Sequence, residues 1–388
     1  MKDFNYYQPT DIRFGPGRIQ EIGQIVSRWG KRCLLVTVPV IPVFEALFQK
    51  VKDCLAESGV AVAHFDGVIP NPTVDVVSTG AAEAKEFGAD VVLGLGGGSS
   101  MDTAKAIAVE ATHEGTSWDY LFFRQTQPTE KTLPVIAVTT TSGTGSQVTQ
   151  VAVVTNPAEK YKSALYNDIL YPKVSVVDPE LMLTVPEHIT ASTGFDVFAH
   201  AFESYITPNG SPYTDMTSLE AIRLTAENLP AAVKQGMDIE ARTAMAWADT
   251  LAGLSIANAG VTLPHGIGMA IGGNYPHIMH GEALAVVYPA ILQYTYKSVP
   301  EKFVHVGALF DPTLKDLPKE EGAARACEVI VDFIREIGMS TCFEDLKVPK
   351  EELRALAQAS LILPDYKSHP KVADLDDIYQ LLLKSCRV

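Results

Sequence analysis

The sequence predicts a chain of two parts, an N-terminal α/β part with a Rossmann-like parallel sheet and a C-terminal part that is all helical. Short β-rich runs alternate with amphipathic helical stretches from about residue 31 to residue 178. From Ala191 onward, apolar residues recur mostly three and four positions apart, and strand-like runs almost disappear. A chain of 388 residues also exceeds what one small core organises. We therefore predict an α/β domain over residues 1–182 and a helical domain over residues 183–388.

The elements of the first part follow in a regular order. Four runs have the composition of strands: Lys31–Thr37, Val60–Phe65, Asp90–Leu95 and Pro134–Thr139. Helical spacing predicts helices between them, near Val43–Glu57, Val74–Phe87 and Ser99–Glu110. Such alternation gives a parallel sheet that is covered by helices on both faces. A further strand at Val174–Val177 is followed by prolines, so we place the boundary near residues 181–186.

Charge and composition exclude several classes of function. The chain has 31 basic and 46 acidic residues and a formal net charge of -15, which opposes binding to nucleic acid. The start, MKDFNYYQPTD, lacks the apolar core of a signal peptide, and no stretch reaches the roughly 18 apolar residues of a membrane span. The five cysteines form no C-x-x-C pair, so any metal must be held by nitrogen and oxygen. We expect a cytoplasmic protein that binds neither nucleic acid nor membranes.

The run GLGGGSSMDTAK, from Gly94 to Lys105, has the features of an anion cradle. Its glycines, Gly97 and Gly98 among them, allow a ligand to approach the backbone, and the helix that follows presents free N–H groups. Ser99 and Asp102 have the spacing of a capping box at the start of that helix. The run does not match G-x-G-x-x-G, and a tight turn that binds nothing is an equal alternative for this motif by itself.

A second polar turn favours a ligand-binding cradle over a turn that binds nothing. The segment TTSGTGSQVT follows the predicted strand Pro134–Thr139 and supplies hydroxyl groups and two more glycines. Ligands of open α/β sheets bind at the carboxyl ends of the strands. Two glycine-rich strand ends therefore favour a dinucleotide.

The helical part contains a candidate metal site. In GFDVFAHAFESY, Asp196 and His200 are four residues apart, so they share one face of a helix. A helix that ends near Gly260 delivers His265, and the glycine-rich GIGMAIGGNYPHIM brings the chain round to His280 at the head of the next helix. One carboxylate and three imidazoles suit iron or zinc. Each histidine taken singly could instead be a hydrogen-bonded core or surface residue.

Several long motifs together resemble the iron-containing alcohol dehydrogenases, also called the group III metal-dependent alcohol dehydrogenases. They are GGGSSMDTAKAIA, TTTSGTGSQVT, DPELMLTVP, TGFDVFAHAFESY and HIMHGEALAVVYP, in the family's order and spacing. FGPGRIQEIG and IPNPT match as well, so the resemblance covers nearly the whole chain. It implies the dehydroquinate synthase-like architecture, with an NAD(P)-binding α/β domain, an all-helical catalytic domain and a metal in the cleft between them.

The resemblance also assigns roles to residues and implies a reaction. It makes Asp196, His200, His265 and His280 the metal ligands and puts His265 and Lys162 in the catalytic set, with Lys162 beside the nicotinamide ribose. It implies hydride transfer between NAD, or NADP, and a short-chain alcohol or aldehyde, assisted by Fe²⁺ or Zn²⁺, in a homodimer or larger homo-oligomer. The residues expected at the cofactor are Val38, Asn71, Gly97, Gly98, Ser99, Asp102, Thr140, Thr141, Thr144, Gln147, Thr149, Lys162 and Leu181.

Two positions depart from the family pattern. Many members have a histidine four residues after the third metal ligand, where this chain has Met269. His277 is the alternative proton relay, unless it simply faces solvent. The second departure is Val38, where NAD-preferring members often have an aspartate that binds the ribose 2′-hydroxyl. The choice between NAD and NADP is therefore open, and we favour NAD.

Three other functions are compatible with the sequence. Glycerol dehydrogenase-like polyol oxidation and a dehydroquinate synthase-like lyase reaction would use the same fold, and a cofactor-binding sensor would have lost catalysis. Ser255, Asn258 and Thr262 precede His265 at spacings of three and four, so they either face the site and favour a diol or form a solvated helix face.

Overall fold

The computed structural model describes residues 3–386 of the chain. Residues 1–2 and 387–388, at the outer ends of the two predicted domains, lie outside the described residues. The described chain forms two compact units. One comprises Gln8–Thr184, and the other comprises the residues from Val185 onward together with the segment before Gln8.

The first unit is built on a parallel sheet of six strands, which confirms the predicted fold class. The strands are β1 (Asp11–Phe14), β2 (Arg32–Val36), β3 (Ala61–Phe65), β4 (Val91–Gly96), β5 (Val135–Thr139) and β8 (Val174–Val177). Their order in the sheet is β1-β8-β5-β4-β2-β3, and every neighbouring pair is parallel. The order changes direction between β2 and β4, which is the kind of switch point where open α/β sheets bind ligands.

Helices cover both faces of this sheet, and the alternation of side chains along the strands explains why. In β2, Leu34 and Val36 belong to one buried cluster and Cys33 and Leu35 to another. The helices of this unit are α1 (Ile22–Val26), α2 (Pro42–Glu57), α3 (Val74–Phe87) and α4 (Gly98–Glu110). The first cluster includes residues of α3 and α4, and the second includes residues of α1 and α2. Because both faces are buried, the strands are almost wholly apolar.

An antiparallel hairpin separates β5 from β8, and the sequence analysis did not predict it. Its strands are β6 (Val151–Asn156) and β7 (Tyr161–Tyr166), which form a separate two-stranded sheet. The chain between them turns at Lys160, whose φ is 48°. The short edge strand β1 was also not predicted.

The second unit is helical, as predicted. Its helices are α5 (Glu187–Ile206), α6 (Pro212–Lys234), α7 (Ile239–Ala259), α8 (Leu263–Asn274), α9 (His280–Thr295), α10 (Pro300–Phe310), α11 (Lys319–Glu336), α12 (Leu353–Ala359) and α13 (Leu375–Lys384). Side chains of Ser211 and Asp238 cap α6 and α7 at their N-termini. Within residues 3–386 no single helix is long and apolar enough to cross a membrane; α7 and α8 meet that test only as a pair, which is bent by 102°.

Helix α8 corrects one expectation from the sequence. From the sequence, the glycine-rich stretch after His265 is expected to be a connection that brings the chain round to His280. It is instead helical, and His265 lies in its first turn. Glycine is a poor helix former, but packing of the apolar residues Ile267 and Ile271 into the core outweighs that preference.

Candidate metal centre and cofactor edge

Helix α5 supplies the first two candidate metal ligands. Asp196 and His200 are both buried, and the Nε2 atom of His200 lies 3.7 Å from Oδ1 of Asp196. Phe195, Phe198 and Phe202 pack on other faces of the same helix against the rest of the core. The two polar side chains are therefore held on a rigid, almost fully buried helix.

His265 and His280 reach the same carboxylate from two other helices. Their Nε2 atoms lie 3.4 Å and 3.9 Å from Oδ1 of Asp196. Gly281 makes this approach sterically feasible, because a Cβ at that position would lie only 2.1 Å from the backbone oxygen of Ser192 on α5. A glycine directly after His280 thus lets the start of α9 pack against α5.

The four side chains form a donor set that fits a divalent metal. Asp196, His265 and His280 each place one ligand atom within 4.8 Å of the others, and the ring of His200 stacks on His265 with centroids 4.6 Å apart. Oδ1 of Asp196 and Nε2 of His265 are buried without a hydrogen-bond partner among residues 3–386. Buried polar atoms of this kind are costly unless a ligand satisfies them. Nitrogen and carboxylate oxygen are the donors that iron and zinc accept.

The charges around the cluster shift its acids and bases strongly. Burial alone would raise the pKa of Asp196, but the imidazoles of His200, His280 and His265 hold that pKa well below its usual range. Burial would lower the pKa of His265, yet the carboxylates of Glu203 and Asp196 raise it to about 10. The carboxylate is thus ionised at neutral pH and is suited to bind a cation.

Glu203 belongs to this site, and the sequence analysis missed it. One of its oxygens, Oε1, lies 2.7 Å from Nδ1 of His265 and accepts a hydrogen bond from the hydroxyl of Tyr288 at 3.2 Å. The other, Oε2, accepts the backbone N–H of Thr262 at 2.7 Å. A carboxylate on Nδ1 fixes the ring so that Nε2 points to the metal. The signal was present in the sequence, because Glu203 follows His200 by three residues and so lies on the same face of α5.

His277 lies apart from the donor set. Its side chain is exposed, its Nε2 atom is 3.2 Å from the backbone oxygen of Leu346, and its ring packs against Tyr275. These contacts favour the solvent-facing alternative over the proton relay. A catalytic role for His277 stays a prediction.

The polar residues that precede His265 serve internal contacts, so neither of the two interpretations offered for them describes the structure. Ser255 is buried and its hydroxyl lies 2.7 Å from that of Thr217. Asn258 bonds to the backbone of Leu254 and Tyr7. Thr262 is buried and bonded to Glu203. They therefore give no indication of a diol substrate.

The predicted cofactor residues collect at one edge of the parallel sheet. Val38 follows β2, Gly97 follows β4, Thr140 follows β5 and Leu181 follows β8. These four strands are neighbours in the sheet, and in a parallel sheet their carboxyl ends share one edge. The structure thus brings together loops that are up to about 140 residues apart in the sequence.

Two glycines at this edge are closely packed, and Gly98 has no room for a side chain. A Cβ on Gly98 would lie 2.5 Å from Cγ2 of Thr144, and one on Gly97 would lie 3.2 Å from Oγ1 of Thr141. The backbone N–H of Thr140 donates to Gly96 at 3.0 Å. The two glycine-rich turns are therefore in direct contact, which supports the expectation that they act together.

The start of α4 differs from the expected capping box. Gly97 is the N-cap residue, no side chain caps the helix, and Ser99 lies within its first turn. The carboxylate of Asp102 instead accepts the Ser146 hydroxyl at 2.6 Å and the Val153 N–H at 3.1 Å. Ser99 and Asp102 do not form a box because the helix begins two residues earlier than a Ser99 cap requires. The uncapped N–H groups of α4 suit an anion such as a phosphate.

The buried side chain of Lys105, on α4, holds the turn from Ser146 to Thr149 in place by hydrogen bonds. Its buried ammonium donates to the backbone oxygens of Ser146, Thr149 and Val151 at 2.7 to 2.9 Å and also to the hydroxyl of Ser146 at 2.9 Å. Gln147 and Thr149 are buried within the same turn. Lys105 therefore orders the loop rather than presenting its charge to solvent.

Lys162 and Asn71, two further predicted cofactor residues, meet each other. Nζ of Lys162 donates to Oδ1 of Asn71 at 2.8 Å. Lys162 lies on β7, and Asn71 precedes α3 with a left-handed φ of 52°. Val38 and Leu181 are partly buried and pack against the apolar core of the sheet.

Two family models match this chain and together span most of it. The model described as iron-containing alcohol dehydrogenase matches residues 9–179. The model for the C-terminal part of the Fe-containing alcohol dehydrogenase family matches residues 190–386. The chain belongs to the iron-containing alcohol dehydrogenase family. This family uses NAD and a divalent metal, usually iron.

Relatives in the family resemble this chain along its whole length. It is 33% identical to the NAD-dependent methanol dehydrogenase of Bacillus methanolicus, over 97% of this chain and 98% of the relative. It is 35% identical to the 1,3-propanediol dehydrogenase of Klebsiella pneumoniae, over 97% of each chain. Among solved structures, an archaeal halo-thermophilic alcohol dehydrogenase from a Red Sea brine pool is 35% identical with a TM-score of 0.94, covering 99% of this chain and 100% of that one.

Family membership confirms the predicted class of function. This iron-containing alcohol dehydrogenase is a metal-dependent oxidoreductase that acts on alcohols or aldehydes with a nicotinamide cofactor. The sensor and lyase alternatives lose their support, because the relatives across the full length are dehydrogenases.

Proposed function

We propose that this iron-containing alcohol dehydrogenase interconverts a short primary alcohol and its aldehyde, with a divalent iron held by Asp196, His200, His265 and His280. The observation that carries this proposal is the convergence of three imidazoles on one buried carboxylate oxygen, at 3.4 to 3.9 Å. Zinc is the alternative metal, because it accepts the same donors.

The metal, when bound, supplies a Lewis acid that favours the alkoxide form of the alcohol or polarises the aldehyde carbonyl. The protein's own residues perform the remaining tasks. Glu203 keeps the imidazole of His265 in one orientation and one tautomer. Hydride transfer itself is the chemistry of the nicotinamide.

We assign cofactor binding to the α/β unit, over the predicted residues 1–182, and catalysis to the helical unit, over residues 183–388. The support is the position of Gly97, Gly98 and Thr140 at the carboxyl edge of the sheet, where the N–H groups that begin α4 suit the pyrophosphate. The pair formed by Lys162 and Asn71 supports the assignment of both to the nicotinamide end.

Single substitutions test the ligand assignment. We expect His265→Ala and His280→Ala to abolish metal retention and alcohol-dependent NAD reduction. His277→Ala serves as the matched control and should retain stoichiometric metal, because its ring bonds elsewhere. Full metal content in the His280→Ala enzyme, measured by atomic absorption after loading with Fe²⁺, would overturn the assignment. Metal retention without turnover in the wild type would favour a protein that has lost catalysis.

We propose NAD as the working cofactor. Val38 offers neither a charge that repels a 2′-phosphate nor one that attracts it, so the support comes from the family's use of NAD. Turnover with NADH and NADPH at equal concentration tests this choice, and a clear preference for NADPH would reverse it.

We further propose that the enzyme is a cytoplasmic homo-oligomer of two or more chains that binds neither nucleic acid nor membranes. The family resemblance supports the assembly, and the net charge of -15 disfavours nucleic acid. Light scattering coupled to gel filtration would measure the mass, and a monomer at micromolar concentration would contradict the assembly.

A further inference from the structure

An acidic residue outside the candidate ligand set, Asp365, lies beside the helix turn that carries His265. Asp365 lies in a 3₁₀ turn, Pro364–Ser368. The turn is fixed at its end, where the hydroxyl of Thr207 donates to the Ser368 oxygen at 2.9 Å. It packs against the first turn of α8: a Cβ on Gly266 would lie 3.5 Å from Cβ of Asp365 and 3.7 Å from its Oδ2. Gly266 directly follows the metal ligand His265.

The carboxylate of Asp365 has unused hydrogen-bonding capacity. The side chain is partly exposed, and among residues 3–386 it accepts no hydrogen bond from another side chain, while its own backbone amide lowers its pKa. Burial raises the pKa of Asp365 to about 6, with His265 lowering it and Glu203 raising it. Asp365 therefore interacts electrostatically with His265 and Glu203, and its carboxyl group is ionised at pH 8.

We infer that Asp365 selects substrates: its carboxylate receives a hydrogen bond from a second donor on the alcohol, a hydroxyl or a protonated amine. This inference rests on the proposed function, since it presumes that the reacting oxygen binds at the metal. An ionised carboxylate that lacks other side-chain donors is destabilised beside a purely alkyl substrate and stabilised beside a donor. It also repels substrates that carry a carboxylate or a sulfonate at that end.

Three substrates of similar length distinguish recognition of a second donor from effects on the oxidation of all alcohols: 1-propanol, 1,3-propanediol and 3-amino-1-propanol. All are assayed at pH 8 with NAD and iron-loaded enzyme. Hydrogen bonds to a charged group are worth enough to change kcat/KM by roughly 10- to 100-fold. We expect the wild type to prefer the diol and the amino alcohol over 1-propanol by factors in that range.

Two substitutions of Asp365 distinguish the contribution of its negative charge from that of its hydrogen-bond acceptors. Asp365→Ala should abolish both preferences: kcat/KM should fall for the diol and the amino alcohol and rise for 1-propanol, whose alkyl chain no longer lies beside an ionised carboxylate. Asp365→Asn still accepts a hydrogen bond, so it should keep part of the preference for the diol and lose that for the amino alcohol. Asp316→Ala is the matched control, because Asp316 is an exposed aspartate in another 3₁₀ turn of the same unit.

A readout without turnover completes the test. The Kd of 3-amino-1-propanol for the iron-loaded enzyme, measured by calorimetry, should rise about 10-fold or more in Asp365→Ala at unchanged metal content. If Asp365 merely stabilises the N-terminus of α8, the variants will unfold at a lower temperature while the ratios among the three substrates stay the same, and the inference is overturned. Failure of the wild type to oxidise any of the three would count instead against the proposed function.

Discussion

The side chains of Glu203 and His265 form a buried pair, with Oε1 of Glu203 2.7 Å from Nδ1 of His265. In Glu203→Gln the amide oxygen can still accept a hydrogen bond from Nδ1, but the negative charge that fixes the tautomer and increases the basicity of the ring is lost. We expect Glu203→Gln to weaken metal binding roughly 10- to 100-fold. Competition with a chelator of known affinity, followed by metal analysis, measures the loss.

A surface variant gives the comparison for that experiment. Glu220 is paired with Arg223 on α6, and Glu220→Gln should leave metal affinity unchanged. Equal affinities in the two variants would show that Glu203 supports the fold and does not orient the ligand.

The close approach of Gly98 to Thr144 leads to a second prediction. In Gly98→Ala the new methyl group would meet the Thr144 side chain at 2.5 Å, so the second turn must move. We expect the KM for NAD to rise at least about 10-fold while the metal content is unchanged, because the backbone that we propose binds the pyrophosphate is displaced. Gly97→Ala, with its nearest contact at 3.2 Å, should have the smaller effect. The reverse order in steady-state kinetics would contradict this account.

Lys105 should matter for both stability and cofactor binding. Lys105→Met leaves three backbone oxygens without their donor and removes the tie that orders Ser146–Val148. We expect a loss of about 3 kcal/mol in the free energy of unfolding and a KM for NAD that rises more than kcat falls. Lys85→Met, at the end of α3, is the surface comparison for urea unfolding and kinetics. If Lys105→Met has normal stability and a normal KM for NAD, Lys105 does not order the turn.

The lowered pKa of the buried His369 leads to a prediction of how the stability of the protein depends on pH. Burial lowers its pKa to about 3, and its ring lies between the hydroxyls of Thr295 and Thr262, at 2.8 Å and 3.1 Å. The unfolded chain has the ordinary pKa near 6.5, so the unfolded state binds the extra proton and stability falls as the pH drops from about 6.5 toward 3. Between pH 7 and pH 5 the wild type should lose about 2 kcal/mol more than His369→Asn does. Urea unfolding at both pH values tests this, and parallel losses would exclude His369 as the cause.

The residue types and their spacing were enough to predict the sheet, the helical second part and the donor set. Asp196 and His200 could be paired because helical spacing places them on one face. Strands such as β4 were found because a strand buried on both faces is a continuous apolar run. The glycine-rich edge followed from strand ends in a parallel sheet.

Other features depend on contacts that sequence patterns do not encode. Helix α8 forms although it contains Gly266, Gly268 and Gly272, because tertiary packing outweighs local preference. Helix α4 starts at Gly98 and not after Ser99, and Asp102 bonds to a loop more than forty residues away, a contact that local spacing does not predict. The approach of Asp365 to α8 is equally long-range, because it brings together residues about a hundred positions apart.

Helix α5 carries Asp196, His200 and Glu203 together with the aromatic residues of the core, and 16 of its 20 residues are buried. A mutation that altered the ligand geometry through this helix would also disturb the packing of the whole unit, and selection against unfolding would remove it. Asp365 lies on a short turn outside this helix. We therefore expect substitutions at that turn to change the range of alcohols at a smaller cost in stability than substitutions on α5.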